Sequence, residues 1–171
     1  VHARLTFQSG VVINMSAVYA KCTRVGRRLL WRCLEDFNGK RSEHWIVARD
    51  FNVIASTDER RGGRPANVTN MEEFNESMFV CGLSPVDFDG CPFTWMNGTV
   101  WHRLDRALVN SQWAAAYPVT RVSHLPRGRS DHVPLLVKAG SGSSVPPLFK
   151  FLNMGHCHHT FFETVSKVWR E

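Results

Sequence analysis

The stretch W-I-V-A-R-D-F-N-V-I, residues 45–54, joins an apolar β-strand to a pair of polar side chains. Residues 45–48 have the composition of a short buried strand. Asp50 and Asn52 follow two positions apart, and strand periodicity places their side chains on one face. A carboxylate beside an amide suits a hard cation, or a phosphate with its attacking water. The alternative is a strand that ends in an Asx-turn, which is the simpler interpretation of an isolated D-x-N.

Strand and helix patterns lie on both sides of this stretch. Residues 11–20 are rich in β-branched and aromatic side chains and predict a strand. Apolar residues recur at helical spacing over residues 24–37, with Thr23 as the expected N-cap and Asn38-Gly39 as the expected stop.

A second helix is expected at residues 71–81, capped by Asn70 together with Glu73 and ended by Gly82. Turn signals predict the remaining elements: strands at 93–95 and 102–109 joined by a turn at Asn97-Gly98, a short helix at 111–116, and strands at 119–123 and 133–137. Strands and helices that alternate loosely in this way predict an α+β fold with an α/β/β/α layered arrangement.

A linker is predicted at residues 139–147, which are rich in Gly, Ser and Pro. It divides the chain into a domain at 1–139 and a second segment at 140–171, in which residues 161–169 have helical spacing.

The charge of the chain is unevenly distributed. The formal net charge is +6, and residues 1–64 hold 12 Lys and Arg against 6 Asp and Glu, whereas residues 65–171 hold 9 of each. A basic surface of this kind suits a polyanion such as nucleic acid, although a merely solvated face has the same composition.

The cysteines and the apolar runs indicate the cellular compartment in which we expect the protein. Five scattered cysteines without a C-x-x-C pair favour free thiols in a reducing compartment. No apolar run has the roughly 20 residues of a membrane span, and no leader pattern opens the chain. We therefore expect an intracellular protein of the nucleus or cytoplasm that is not secreted. Because the chain opens with Val1 rather than Met, we expect a piece of a longer protein.

Two further groups of polar residues could carry chemistry. Asp105 lies inside the predicted strand at 102–109, where a buried carboxylate needs a partner such as an imidazole. Ser130-Asp131-His132 follows an arginine-rich turn and precedes an apolar strand, a setting in which Asp and His bind metal or transfer protons. Each motif taken alone is also compatible with a surface turn.

The ordered co-occurrence of these motifs resembles the endonuclease/exonuclease/phosphatase superfamily, which has a DNase I-like fold. Its closest resemblance is to the endonuclease domain of plant LINE-type (non-LTR) retrotransposon polyproteins. The motifs that carry this resemblance are S-A-V-Y-A at 16–20, V-A-R-D-F-N-V-I at 47–54, E-R-R-G-G at 59–63, C-G-L at 81–83, F-T-W at 93–95, R-L-D-R-A-L at 103–108, and H-L-P at 124–126 with S-D-H at 130–132. Residues 149–154 resemble the stretch that joins such an endonuclease to a reverse transcriptase.

The resemblance implies roles for three residues near the opening stretch. Asp50 would position or deprotonate the attacking water, Asn52 would hold the phosphate, and Tyr19 would lie near the scissile phosphate. The implied activity is metal-dependent hydrolysis of a phosphodiester, in which positioning and charge neutralisation do most of the work.

It also implies roles for three residues farther along the chain. Asp105 would orient His132, and His132 would stabilise developing charge or transfer a proton. Asp131 would help to bind a divalent metal, Mg²⁺ or Mn²⁺. Arginines of the two basic loops would contact DNA: Arg60, Arg61, Arg64, Arg127 and Arg129.

The chain departs from the family pattern in two places. Nothing upstream of Tyr19 matches the opening strands of the family, which carry an Asn and a metal-binding Glu, and Arg49 stands where the family has Gly. The resemblance therefore implies an N-terminally truncated, degenerate copy of a DNA-nicking endonuclease from a retrotransposon.

Two alternatives remain open at the level of sequence. One is a nucleic-acid-binding remnant without catalysis, in which Arg24, Arg27 and Arg28 would join the loop arginines in phosphate contacts. The other is a phosphatase of the same superfamily.

Overall fold

A computed structural model describes residues 1–38, 43–140 and 166–167 of the chain. The chain divides into two compact units, Val1–Ser141 and Gly142–Glu171. Only residues 166–167 of the second unit are described, and they are helical. The segment at 149–154, and all of the predicted helix at 161–169 except those two residues, lie outside the described residues. The domain boundary at residue 139 stays a prediction.

The elements of the first unit are short strands with three helices between them. The strands are β1 (His2–Thr6), β2 (Val12–Tyr19), β3 (His44–Asp50), β4 (Arg60–Arg61), β5 (Ser84–Pro85), β6 (Phe88–Asp89), β7 (Trp95–Asn97), β8 (Val100–His102), β9 (Asp105–Val109), β10 (Arg121–His124) and β11 (Leu135–Lys138). The helices are α1 (Arg24–Asn38), α2 (Val68–Val80) and α3 (Ser111–Ala116), and a 3-10 turn spans Thr57–Glu59. Within the described part of the chain, no helix is long and apolar enough to cross a membrane.

The largest sheet has the strand order β1-β2-β3-β9-β5. Strands β2 and β3 are parallel, and the other neighbouring strands are antiparallel. The register pairs Tyr19 with Asp50 across β2 and β3, and Asp50 with Asp105 across β3 and β9. Three candidate site residues therefore lie side by side at one end of adjacent strands.

Both faces of this sheet are covered by apolar packing. On one face, helices α1 and α2 enclose a core that includes Val47, Trp31 and Phe74. On the other face, Ile46 and Val109 pack against Val122 of a second sheet, whose order is β11-β10-β6. The alternation of Ile46 and Val47 between the two cores is the strand periodicity expected of a sheet buried on both sides. The layered α+β architecture predicted from the sequence is confirmed.

A third, smaller sheet has the order β4-β8-β7 and is built on the predicted Asn-Gly turn. Strands β7 and β8 form a hairpin in which Asn97 pairs with Val100, and Gly98 has a φ of 60°. A single bridge joins Trp95 of β7 to His132. The small sheet is thus attached directly to a candidate site residue.

Helix α2 begins three residues earlier than predicted. Its N-cap is Asn67, whose side chain accepts a hydrogen bond from the backbone N–H of Asn70, so the prediction of Asn70 as the cap is wrong. The predicted stop at Gly82 is confirmed. Gly82 has a φ of 61°, and the N–H groups of Gly82 and Leu83 donate to the carbonyls of Phe79 and Met78, which is a Schellman motif.

The strand predicted at 102–109 is wrong, because the structure divides it into β8 and β9 in different sheets. At the break, the N–H of Arg103 donates to the carbonyl of Glu59, and the carbonyl of Leu104 accepts from the N–H of Phe51. A continuous apolar pattern cannot show this change of partner. Strand β1 was not predicted either, because four of its five residues are exposed and it lacks a periodic apolar face.

Candidate active site

Asp50 ends strand β3 in a tight, hydrogen-bonded turn. Its carboxylate accepts from the backbone N–H of Asn52 at 2.8 Å and from the Asn52 side-chain amide at 2.9 Å. Asn52 has a φ of 51°, a left-handed conformation that Asn tolerates better than most residues. The Asx-turn and the polar cluster at this position are therefore both present.

Asp105 opens strand β9 directly opposite Asp50. The hydroxyl of the buried Thr94 accepts hydrogen bonds from the N–H groups of Leu104 and Asp105, both at 2.9 Å. These bonds fix the start of β9, so the Asp105 carboxylate has a defined position.

His132 lies against Asp105, with 2.7 Å between its Nδ1 and the Asp105 Oδ2. A proton on Nδ1 makes this bond, which leaves Nε2 as the ring atom that can meet a ligand. Asp105 is buried and His132 is partly exposed. The carboxylate thus orients the imidazole while the ring remains accessible.

Asp50, Asp105 and His132 form one cluster in which each residue offers a ligand atom within 4.8 Å of the others. Burial raises the pKa of the Asp50 carboxyl, and the neighbouring charge of Asp105 adds to this effect. The hydrogen bond from Asn52 and the charges of His132 and Arg49 lower the pKa of Asp50 in the opposite direction. Two adjacent carboxylates with one imidazole give an excess of negative charge that a cation would offset.

A cavity of about 420 Å³ opens beside the cluster. Asp105, His132 and Arg49 contribute to its lining, together with apolar residues that include Ala48 and Leu135. It offers reactive polar groups at an apolar wall, the usual composition of a small ligand site.

Two other predicted site residues, Tyr19 and Asn52, lie beside the cluster. Tyr19 is 80% exposed at the end of β2, next to Asp50 in the register. The two amide protons of Asn52 are taken by Asp50 and by the carbonyl of Ala20, which indicates that Asn52 fixes the loop around Asp50 in this arrangement. Its predicted contact with a phosphate stays untested.

Asp131 lies outside the three-residue cluster and is exposed. The Trp95 indole donates to its carboxylate at 3.0 Å, and this bond is the main cause of the lowered pKa of Asp131. Arg127 donates to the Asp131 backbone carbonyl. The predicted role of Asp131 as a metal ligand stays a prediction.

The predicted DNA-contacting arginines occupy the edges of the small sheet and the loop before His132. Arg61, Arg64 and Arg129 are exposed, whereas Arg60 donates to the carbonyl of Gly62 and Arg127 lies over the Trp101 ring.

Three arginines of helix α1, namely Arg24, Arg27 and Arg28, were assigned to phosphate contacts in the binding alternative, and the structure gives them other partners. Arg27 is 3% exposed and donates to three backbone carbonyls, including that of Asn52, so its assignment to phosphate contacts is wrong. Arg24 and Arg28 both pair with Glu73 of α2.

Sequence reasoning missed two features that support the site. One is Thr94, whose contact with the start of β9 depends on pairing between distant segments. The other is a buried ion pair in which the Arg106 guanidinium lies 2.8 Å from the carboxylate of Glu59, with Arg103 at 3.1 Å from the same carboxylate. In the sequence, the signal for this pair was an Arg inside a predicted strand together with an acidic residue in a loop.

No protein-family model and no curated protein sequence matches the chain. Solved structures do match it. The 3'-5' exonuclease NExo from Neisseria meningitidis has 20% sequence identity and a TM-score of 0.59, over 81% of this chain and 64% of that one. A NExo variant described as a 3' phosphatase bound to a product DNA hairpin gives 19% identity and a TM-score of 0.60, with the same coverage.

Two further solved structures also match the chain at low sequence identity. The endonuclease domain of TRAS1, a telomere-specific non-LTR retrotransposon, has 14% identity and a TM-score of 0.53 over 81% of this chain and 62% of that one. An endonuclease/exonuclease/phosphatase family protein from Leptotrichia buccalis has 16% identity and a TM-score of 0.54 over 80% and 52%. The chain spans less than two thirds of the length of each of these structures. At such identities the similarity establishes a shared DNase I-like fold.

Proposed function

We propose that this protein belongs to the endonuclease/exonuclease/phosphatase superfamily and is a divalent-metal-dependent phosphodiesterase that nicks DNA. The observation that carries the proposal is the Asp50–Asp105–His132 cluster, in which a buried carboxylate holds an accessible imidazole at 2.7 Å. A hydrolytic site needs a group that accepts a proton and a group that meets developing charge, and this cluster supplies both.

Each residue of the cluster has a chemical role in the proposed reaction. Asp50 would position the attacking water or accept its proton, as a buried carboxylate within reach of His132. Asp105 keeps the His132 ring in place, and the free Nε2 meets the phosphate oxygens or the leaving group. Asn52 holds the Asp50 carboxylate through two hydrogen bonds.

The donor set fits a divalent cation such as Mg²⁺ or Mn²⁺. Carboxylate oxygens of Asp50 and Asp105 would hold it, with Asp131 as a further candidate at the rim, and the ligand atoms of the cluster are near enough to share an ion. Burial is the largest cause of the raised pKa of Asp50, and a bound cation would offset this cost of keeping the carboxylate charged inside the fold. When bound, the cation would act as a Lewis acid that neutralises charge on the phosphoryl group.

DNA is the substrate that the surface and the similarities favour. Exposed Arg61, Arg64 and Arg129 suit a polyanionic backbone, and one structure of the same fold is described with a product DNA hairpin. Together, the motif resemblance and the fold shared with the TRAS1 domain favour a retrotransposon origin. The resemblance of residues 149–154 supports a fusion to reverse transcriptase in the parent protein, and the scattered cysteines support an intracellular location.

A two-substrate comparison tests this proposal. Supercoiled plasmid and a soluble phosphomonoester such as an inositol phosphate are each incubated with the protein in Mg²⁺, in Mn²⁺ and in EDTA. We expect metal-dependent conversion of the plasmid to its nicked form, with little release of inorganic phosphate. Asp50→Ala is expected to abolish nicking, whereas Glu72→Ala, at an exposed acid of α2, is expected to leave it intact.

Each contrary outcome points to a different function. Turnover of the phosphomonoester in preference to plasmid would assign the site to a phosphatase. Plasmid binding without nicking in either metal would assign the protein to the nucleic-acid-binding alternative.

A further inference from the structure

Arg49 has a backbone conformation that side chains rarely adopt. It lies within strand β3 with a φ of 103°, a region that favours glycine and is strained for other residues. Strain of this kind persists where the surrounding structure enforces it, and it is concentrated at functional sites. The residue lies between Ala48 and Asp50, both of which belong to the surroundings of the site.

The Arg49 side chain does not lie where the regular alternation of a strand would place it. The register pairs Arg49 with Val18 and Arg106, which are 3% and 2% exposed. Regular alternation along β3 would place Arg49 with these residues against the helix-covered core. Instead Arg49 is exposed and lines the cavity beside Asp105 and His132.

The Arg49 guanidinium also has no partner within the described part of the chain. Among the residues that the structure describes, no hydrogen bond or ion pair to its side chain is found, whereas Arg27, Arg103 and Arg106 are held by carbonyls or carboxylates. An unpaired guanidinium has five donors and a fixed positive charge that match the geometry of a phosphate.

We propose that Arg49 is a phosphate-binding residue of this cavity, whose guanidinium binds the non-bridging oxygens of the DNA phosphate at the Asp50–Asp105–His132 cluster. The inference rests on the proposed function, since it deepens the role of the same site. It gives the substitution of the expected Gly by Arg a function. With this strained φ, the Arg49 side chain lines the cavity instead of packing against the helix-covered core.

Three variants separate charge from backbone strain. Arg49→Gly removes the guanidinium and relieves the strain, Arg49→Ala removes the guanidinium and keeps the strain, and Arg49→Lys keeps a positive charge. Arg32→Ala, on the exposed side of α1, is the matched control for loss of one charge elsewhere. Binding of a short DNA duplex is measured in EDTA by fluorescence anisotropy between about 50 and 200 mM salt, together with Tm and the KM for nicking in Mg²⁺.

We expect Arg49→Gly and Arg49→Ala to weaken metal-free DNA binding by about 3- to 10-fold and to reduce the salt slope by about one. Arg49→Lys is expected to keep the salt slope. Arg32→Ala is expected to bind as the wild type does. Arg49→Gly alone should raise Tm, by about 2–4 °C, because the strain disappears.

The outcomes distinguish this inference from the proposed function. Unchanged affinity and salt slope in both Arg49→Gly and Arg49→Ala would overturn the inference, as would faster nicking by Arg49→Gly at an unchanged KM, which would mark Arg49 as a damaging substitution. Loss of binding in those two variants, with a wild type that does not nick, would support the inference and refute the proposed function.

Discussion

The Asp50 carboxylate is stabilised by hydrogen bonds in surroundings that disfavour its charge. The residue is 2% exposed, and burial raises the pKa of its carboxyl group. Two hydrogen bonds from Asn52 act against this effect. The sequence could predict the pair, because D-x-N at the end of an apolar strand is visible in the chain. It could not show that one arrangement serves both as an Asx-turn and as part of a three-residue cluster.

His124 provides a prediction about pH. Burial lowers the pKa of its imidazole below the usual 6.5, and its buried Nε2 has no partner among the described residues, so the folded state favours the neutral ring. The unfolded chain binds a proton near pH 6.5, so stability is full above that value and falls as the pH drops below it. We expect the free energy of unfolding, measured with urea, to be lower at pH 5.5 than at 7.5.

His124→Asn is the variant that assigns this loss to one residue. Asn can keep a donor for the Cys91 carbonyl that His124 Nδ1 contacts, but it does not titrate. We expect a smaller difference between the two pH values than in the wild type, although His2 and His102, whose pKa values are also lowered by burial, will preserve part of it. An equal difference in variant and wild type would contradict this assignment.

Helix α2 shows how local patterns succeed and fail at the scale of an element. Its apolar spacing and Gly82 were visible in the sequence, so the helix and its end could be predicted. The N-cap could not be predicted, because the side chains of Asn67 and Asn70 can both accept a capping hydrogen bond. Only the backbone of the structure shows that Asn67 does so. The break between β8 and β9 was hidden for a similar reason, since neighbours in another sheet decide it.

The cap of α2 gives a prediction with an internal control. Asn67→Ala removes the acceptor for the Asn70 N–H and should lower the free energy of unfolding by about 1 kcal/mol. Asn70→Ala keeps this bond, because the backbone N–H is the donor, and should cost clearly less. Chemical denaturation of the two variants measures the difference. A larger loss for Asn70→Ala would contradict the capping assignment.

Buried and exposed ion pairs of the same type offer a second prediction at this scale. Glu59 and Arg106 are 8% and 2% exposed, so Glu59→Gln leaves a buried guanidinium undercompensated and should cost about 3–5 kcal/mol. Glu73 pairs with Arg24 and Arg28, whose side chains are much more exposed, so Glu73→Gln should cost about 1 kcal/mol or less. Urea unfolding measures the free energy of unfolding of both variants. Equal decreases in the two would contradict the larger contribution expected of the buried pair.

At the scale of the whole molecule, the sequence predicted the layers but not the long-range register. Apolar alternation and turn signals were sufficient for an α+β fold, because they are local. The proximity of Asp50, Asp105 and His132 comes from pairing between β3 and β9 and from a bond across 27 positions. Only the resemblance to a known family brought these residues together in advance. The basic excess was visible too, but the structure was needed to show that Arg27 and Arg106 are buried and that Arg103 is paired with Glu59.

The central claim is that Asp105 and His132 act as one unit in cleaving a phosphodiester. Its most direct test is the rate of plasmid nicking in Mg²⁺ by the wild type, Asp105→Asn, His132→Gln and the double variant. We predict that each single substitution lowers the rate by about 10²- to 10⁴-fold, and that the double variant is no slower than the slower single one. Equal rates in wild type and Asp105→Asn, or losses that multiply in the double variant, would contradict the account.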